Sequence, residues 1–124
     1  MALKEGVVAG GGAALSTGGE TIPPIRYSTP DERCAAAIVR EALSRPLRRI
    51  VKNAGYEPDA VIAQLRTAGT GHAFDSTTGA IRNVGEAGAP LDPVGVLRLA
   101  VKSAIALADD ALQRANLATG MRHE

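Results

Sequence analysis

The sequence has no tryptophan and only three aromatic residues, Tyr27, Tyr56 and Phe74, 2% of the chain. Stacking of bases needs exposed rings, so a single-strand nucleic-acid platform is disfavoured. Only one cysteine is present, Cys34. That rules out an internal disulfide framework and a cysteine-rich zinc site, and fits a reducing compartment. Neither sign of charge dominates: 14 basic and 13 acidic residues leave a net charge of +1. Bulk electrostatic binding to nucleic acid or to an anionic membrane is not expected. No stretch approaches the roughly 20 apolar residues that span a bilayer. The start of the chain, Met1 to Glu5, has no long apolar run, so a cytoplasmic protein is expected. No internal repeat occurs at the scale of repeat architectures.

What remains is a globular composition, 45% hydrophobic and 22% charged over 124 residues. It suits one domain, residues 1–124, with one modest core. The patterning predicts a mainly α fold, a helical bundle with a small β-hairpin near residues 72–84. Gly18-Gly19, Pro23-Pro24 and Pro30 break every regular pattern, which predicts a loop over residues 16–30. From Thr29 the helix signals are good: a capping side chain, Pro30 in the first turn, then Asp31 and Glu32 at the positive end of the dipole. Cys34, Ile38 and Ala42 make one stripe, with Ala35, Val39 and Leu43 beside it. Pro46 is expected to interrupt. A second segment follows, with Leu47, Ile50 and Val51, and stops at Asn53-Ala54-Gly55. A third helix carries Val61, Ile62 and Leu65. The hairpin turns near Thr78-Gly79. Asp92, as N-cap, and Pro93, as first residue, open the longest helix. Val94, Leu97, Val101, Ile105, Ala108 and Leu112 step by three or four along it. Residues 118–124 read as a flexible tail.

Few residues carry obvious chemistry. The run Gly10-Gly11-Gly12 is either an anion cradle of backbone amides or a tight packing turn. It is neither a Walker A loop nor a dinucleotide fingerprint. Asp75 and Asp92 flank the hairpin. Together they are weak candidates for acid–base work or for holding Mg²⁺ or a ribose hydroxyl; separately they form a turn and a cap. His72 is more readily a solvated loop histidine than a ligand or a catalyst. Arg45, Arg48, Arg49 and Lys52 share a helix side that reads as a solvated face or as salt bridges to a partner subunit. Cys34, on an apolar stripe, reads as a small core residue. No catalytic triad and no metal site can be assembled.

The segments together resemble a known family. Glu5-Gly6-Val7-Val8-Ala9-Gly10-Gly11-Gly12-Ala13-Ala14-Leu15 is similar to the EGVVAGGG-x-AL segment of group I chaperonins, the GroEL type. Ala42 to Gly55 resembles that family's AL-x-x-PLRQI-x-x-NAG. Phe74-Asp75-Ser76-Thr77-Thr78-Gly79 resembles its (Y/F)NAATG turn, and Gly88 to Pro93, with Val96 and Arg98, its G-I-(I/L)-DP-x-KV-x-R. The order and near-right spacing of the four segments make the likeness specific. It covers nearly the whole chain.

The resemblance implies the C-terminal half of an equatorial domain, which is helical, carries the ATP site and makes most ring contacts. Carried over by position, Gly10, Gly11 and Gly12 would pack at the nucleotide. Asp75, Ser76, Thr77 and Ala89 would lie by the adenine, and Asp92 at the ribose. There are departures. Asp75 stands where the family has Asn, Pro90 is added before Asp92, and residues 16–30 replace an amphipathic helix. The family's catalytic aspartate, its DGTTT phosphate segment and its apical domain have no counterpart in these 124 residues. Hydrolysis needs a metal-held triphosphate and a positioned water. No ATPase activity is therefore expected, no cofactor is required, and any ATP or ADP binding is expected to be weak. Half a domain also leaves apolar stripes uncovered, which points to a homo-oligomer, a dimer or higher. Two functions follow. One is a chaperonin-like protein that binds a client or partner protein in folding or assembly. The other is a fragment recruited to bind or transform a small molecule in a cleft of Gly10–Gly12, Phe74, Asp75 and Asp92.

Overall fold

The computed structural model describes residues 5–22 and 29–123. The described residues fall into two compact units: one is Val7–Asp92, and the other combines the stretch before Val7 with the chain from Pro93 onward. Residues 23–28, the middle of the expected 16–30 loop, lie outside the described residues.

The first unit begins with strand β1, Val7–Ala9, and passes through the glycine run into helix α1, Ala13–Glu20. Residues 16–20 are thus helical, and the expected loop does not start at Ser16. The reason is close packing. Ala13, Ser16 and Gly19 form the buried side of α1, and small side chains let its axis approach the next helix. A Cβ built on Gly19 would sit 3.3 Å from Leu43 Cβ. The helix propensity lost at Gly19, about 1 kcal/mol, is offset by that contact, while Gly18 is exposed with open space around it. Thr21 closes α1, its hydroxyl donating to the Gly18 carbonyl at 2.8 Å.

Helix α2, Pro30–Asn53, is continuous over 24 residues with Pro46 inside it. Its start is as expected: Thr29 Oγ1 accepts from the Glu32 amide at 3.1 Å. Pro46 does not divide it, because burial holds the helix on both sides of the missing amide. Leu47 and Val51 are fully buried. Of the expected positions Leu47 and Val51 are buried and Leu43 is half-buried; Ala36 joins them, and the Cys34, Ile38 and Ala42 stripe does not. Ile38 is 62% exposed and Cys34 is an exposed free thiol, not a core residue.

Helix α3, Pro58–Ala68, buries Val61, Ile62 and Leu65. Strands β2, His72–Phe74, and β3, Ile81–Asn83, pair antiparallel with His72 opposite Asn83, Ala73 opposite Arg82 and Phe74 opposite Ile81. This is the expected hairpin. Strand β4, Leu91–Pro93, pairs with β1. The core gathers Ala9, Ala13, Leu47, Val51, Val61, Ile62, Leu65, Ala73 and Phe74. Tyr56 meets Phe74 edge to face, ring centres 5.5 Å apart.

In the second unit, helix α4, Val94–His123, runs for 30 residues. Asp92 and Pro93 close β4 and do not cap and open the helix. The helix also continues past Ala118, where a tail was expected. Arg98 pairs with Glu5 at 3.1 Å. From Lys102 to Gly120 every residue is exposed. Among the described residues, no helix is long and apolar enough to cross a membrane.

Candidate functional site

The glycine run is a junction of three backbones. The Gly10 amide donates to the Pro90 carbonyl at 2.9 Å, and a Cβ there would lie 2.8 Å from the Leu91 amide nitrogen. Gly12 has φ +85° and caps α1, and its missing Cβ would fall 2.6 Å from the Leu47 nitrogen. Gly11, with φ +66°, is less confined: the nearest atom to a Cβ is the Phe74 carbonyl oxygen at 3.7 Å. Strand β4, helix α2 and strand β2 therefore meet at three consecutive residues. Of the two sequence readings, the tight packing turn is the one this geometry carries for Gly10 and Gly12.

The hairpin turn is organised by Asp75. Its amide donates to the Ala80 carbonyl at 2.9 Å, and its own carbonyl accepts from Gly79 at 2.7 Å. Its side chain accepts from the Thr77 amide at 2.9 Å and from Arg82 Nε at 2.7 Å. The Thr77 amide, and then the Arg82 guanidinium, hold the carboxyl below its ordinary value despite some desolvation. Asp75 is thus a satisfied carboxylate and poorly placed to take up a proton near neutrality. Arg82 was not singled out from the sequence. The hairpin register contains the signal, since Asp75 closes the hairpin opposite Ala80 and Arg82 is the diagonal neighbour on the same face.

The remaining expected site residues are dispersed by role. Phe74 is core, 2% exposed. Ser76 and Thr77 are exposed on the turn, and the Ala89 amide donates to the Glu86 carbonyl at 3.2 Å. Asp92 is half-buried in β4. His72 is half-buried in β2, its Nδ1 3.2 Å from the Gly69 carbonyl oxygen. Of the basic face, Arg45 pairs with Glu41 and Arg48 with Asp59, both at 2.7 Å.

Several clefts on the described residues are lined by other positions than the expected site residues. A cleft of about 420 Å³ opens between Val7, Ala14, Thr17, Thr70, His72 and Val84. A shallower one of about 560 Å³ lies between α3 and the hairpin turn, at Thr67, Gly79 and Ile81. Neither was anticipated, because each is made by glycines and small residues at element ends.

Helix α4 leaves large apolar side chains uncovered. Val96, Leu99, Ile105, Leu107, Leu112 and Leu117 are each 50–71% exposed. A helix with apolar residues on more than one face is built to be covered by neighbours. A sequence model of the TCP-1/cpn60 chaperonin family matches residues 1–114. With a mainly helical fold, a small antiparallel hairpin and a glycine junction between β1 and α1, the chain belongs to the TCP-1/cpn60 chaperonin family.

Proposed function

We propose that this chain, built on the C-terminal half of a group I equatorial domain, acts in folding or assembly by binding protein, itself included, and does not turn over ATP. The observation that carries the reading is the apolar surface of α4. Leu99, Leu107 and Leu117 stay 59–71% exposed, with the Asp110–Arg114 ion pair between the last two, and apolar side chains this open along one helix side support an interaction site. At about 100° per residue these three, with Val96, fall along one side of the helix. Unfolded or partly assembled chains offer the complementary apolar segments.

Against turnover stand the inherited nucleotide positions. Gly10 and Gly12 are wedged against backbone, and the Asp75 carboxylate is spent on Thr77 and Arg82. Both arrangements support a structural role for these positions.

The test is suppression of aggregation. A chemically unfolded model protein is diluted into buffer with and without the chain, and turbidity is followed. The wild-type chain is expected to lower turbidity in proportion to its concentration, equally with and without ATP, while phosphate release stays at background. Leu107→Glu together with Leu117→Glu is expected to abolish the effect. Unchanged protection by that variant, or ATP-dependent protection with steady phosphate release, overturns the proposal.

A further inference from the structure

The opposite side of α4 has a different pattern. Val101, Ile105, Ala108 and Leu112 step by four, three and four, and lie on one face of the helix. Ile105 and Leu112 are 60% and 67% exposed. Lys102 and Asp109 are seven positions apart and share one flank of that face. Ala104 and Ala111, also seven apart, share the other.

Those flanks distinguish the two ways of pairing identical helices. In a parallel pair unlike flanks meet, so Lys102 and Asp109 face alanines and their charges are wasted. In an antiparallel pair like flanks meet. Lys102 then lies across from Asp109 of the second copy, and the two-fold axis repeats the contact. The alanine flanks also meet, and small side chains let the helices close. The layers match in size in the same register: Val101 against Leu112, and Ile105 against Ala108, each twice. Lys102 makes no ion pair with any described residue, and Asp109 accepts only from Gln113 at 3.1 Å. Both charges are open to a partner.

Resting on the protein-binding reading above, we propose that this face of α4 docks on the same face of a second copy of the chain, antiparallel, with Lys102 and Asp109 in reciprocal ion pairs across the two-fold axis. Four layers make a short seam, so dissociation is expected at micromolar rather than nanomolar concentrations. The ion pairs sit at the rim, so they set register and orientation more than affinity.

Sedimentation velocity over a concentration series tests this. A species of twice the 12.7 kDa chain mass is expected, weakening as salt rises. Lys102→Glu alone and Asp109→Lys alone should each weaken dimerisation about tenfold, because each sets like charges against each other twice. The two combined should restore it. Orientation is read by oxidation in a Cys34→Ser background. Val101→Cys mixed with Leu112→Cys is expected to cross-link, and neither alone. A monomer at every concentration, self-cross-linking by either single variant, or a double charge swap no better than the singles overturns the proposal. A monomer that still suppresses aggregation through Leu107 and Leu117 removes this inference and leaves the function standing. A dimer without that suppression does the reverse.

Discussion

Replacing Gly12 by alanine separates packing from backbone conformation at the glycine junction. Two penalties apply. The residue holds φ +85°, a left-handed conformation that costs an L-residue about 1–2 kcal/mol. The new methyl would also lie 2.6 Å from the Leu47 nitrogen and 2.9 Å from its Cα. These are backbone atoms of a helix with Leu47 fully buried, so no rotamer change relieves the overlap. Forcing α1 and α2 apart costs a further 1–3 kcal/mol or so. The control is Gly11→Ala. It has nearly the same left-handed strain, φ +66°, but its nearest neighbour is 3.7 Å away. It should show only the first penalty. Urea unfolding followed by far-ultraviolet circular dichroism gives both values, and each kcal/mol shifts a midpoint of thermal unfolding by about 4 °C at this size. The expected gap between the two variants is about 1–3 kcal/mol. If they agree within about 0.5 kcal/mol, the junction is not a packing device, and the reasoning about Gly12 fails.

Leu47→Ala empties the fully buried centre of the first unit. It should cost about 2–5 kcal/mol in the same assay. Pro46→Ala should stabilise: about 3 kcal/mol of helix penalty is relieved, less about 1 kcal/mol for the greater freedom of the unfolded chain, a net gain near 2 kcal/mol and a higher Tm. Asp75 supplies a pH dependence. Its folded-state pKa is depressed by the Thr77 amide and Arg82, so its contribution is present above the unfolded pKa, near 4, and is lost as pH falls through the folded value. Asp75→Asn should flatten the stability profile below about pH 4; urea midpoints across a pH series check it.

Local chemistry was readable where one residue decides. Thr29 caps α2 because its hydroxyl reaches the Glu32 amide, and Ser/Thr–Pro–acid at a helix start has few other meanings. The hairpin was readable because its turn residues and short β-like pieces act within ten residues of each other. The misreadings are tertiary. Pro46 and Gly19 are local breakers, yet both lie in helices, because Leu47 and Val51 in α2, and the small face of α1, repay the local cost in packing. The buried face of α2 was misjudged for the same reason. Cys34 and Ile38 make an apolar stripe in sequence, but the face at Ala36, Leu43 and Leu47 is the one that meets α1 and the core.

The candidate site divides along a similar line. The family likeness brought Gly10–Gly12, Phe74 and the Pro90–Asp92 stretch to attention, and the glycine run does meet the other two: Gly11 lies against the Phe74 carbonyl and Gly10 against Pro90 and Leu91. At Gly10 the backbone amide is committed to the Pro90 carbonyl, so that residue serves the junction. What the chain offers to the outside is on α4, where periodicity alone identified a stripe but not a partner. A stripe of apolar residues states only that something covers it. Direction comes from the charges beside it, and here two of them, Lys102 and Asp109, lie on one flank with alanines on the other. The antiparallel pairing proposed above rests on that asymmetry: a reversed second helix brings Lys102 across from Asp109, whereas a parallel one sets both charges against alanine.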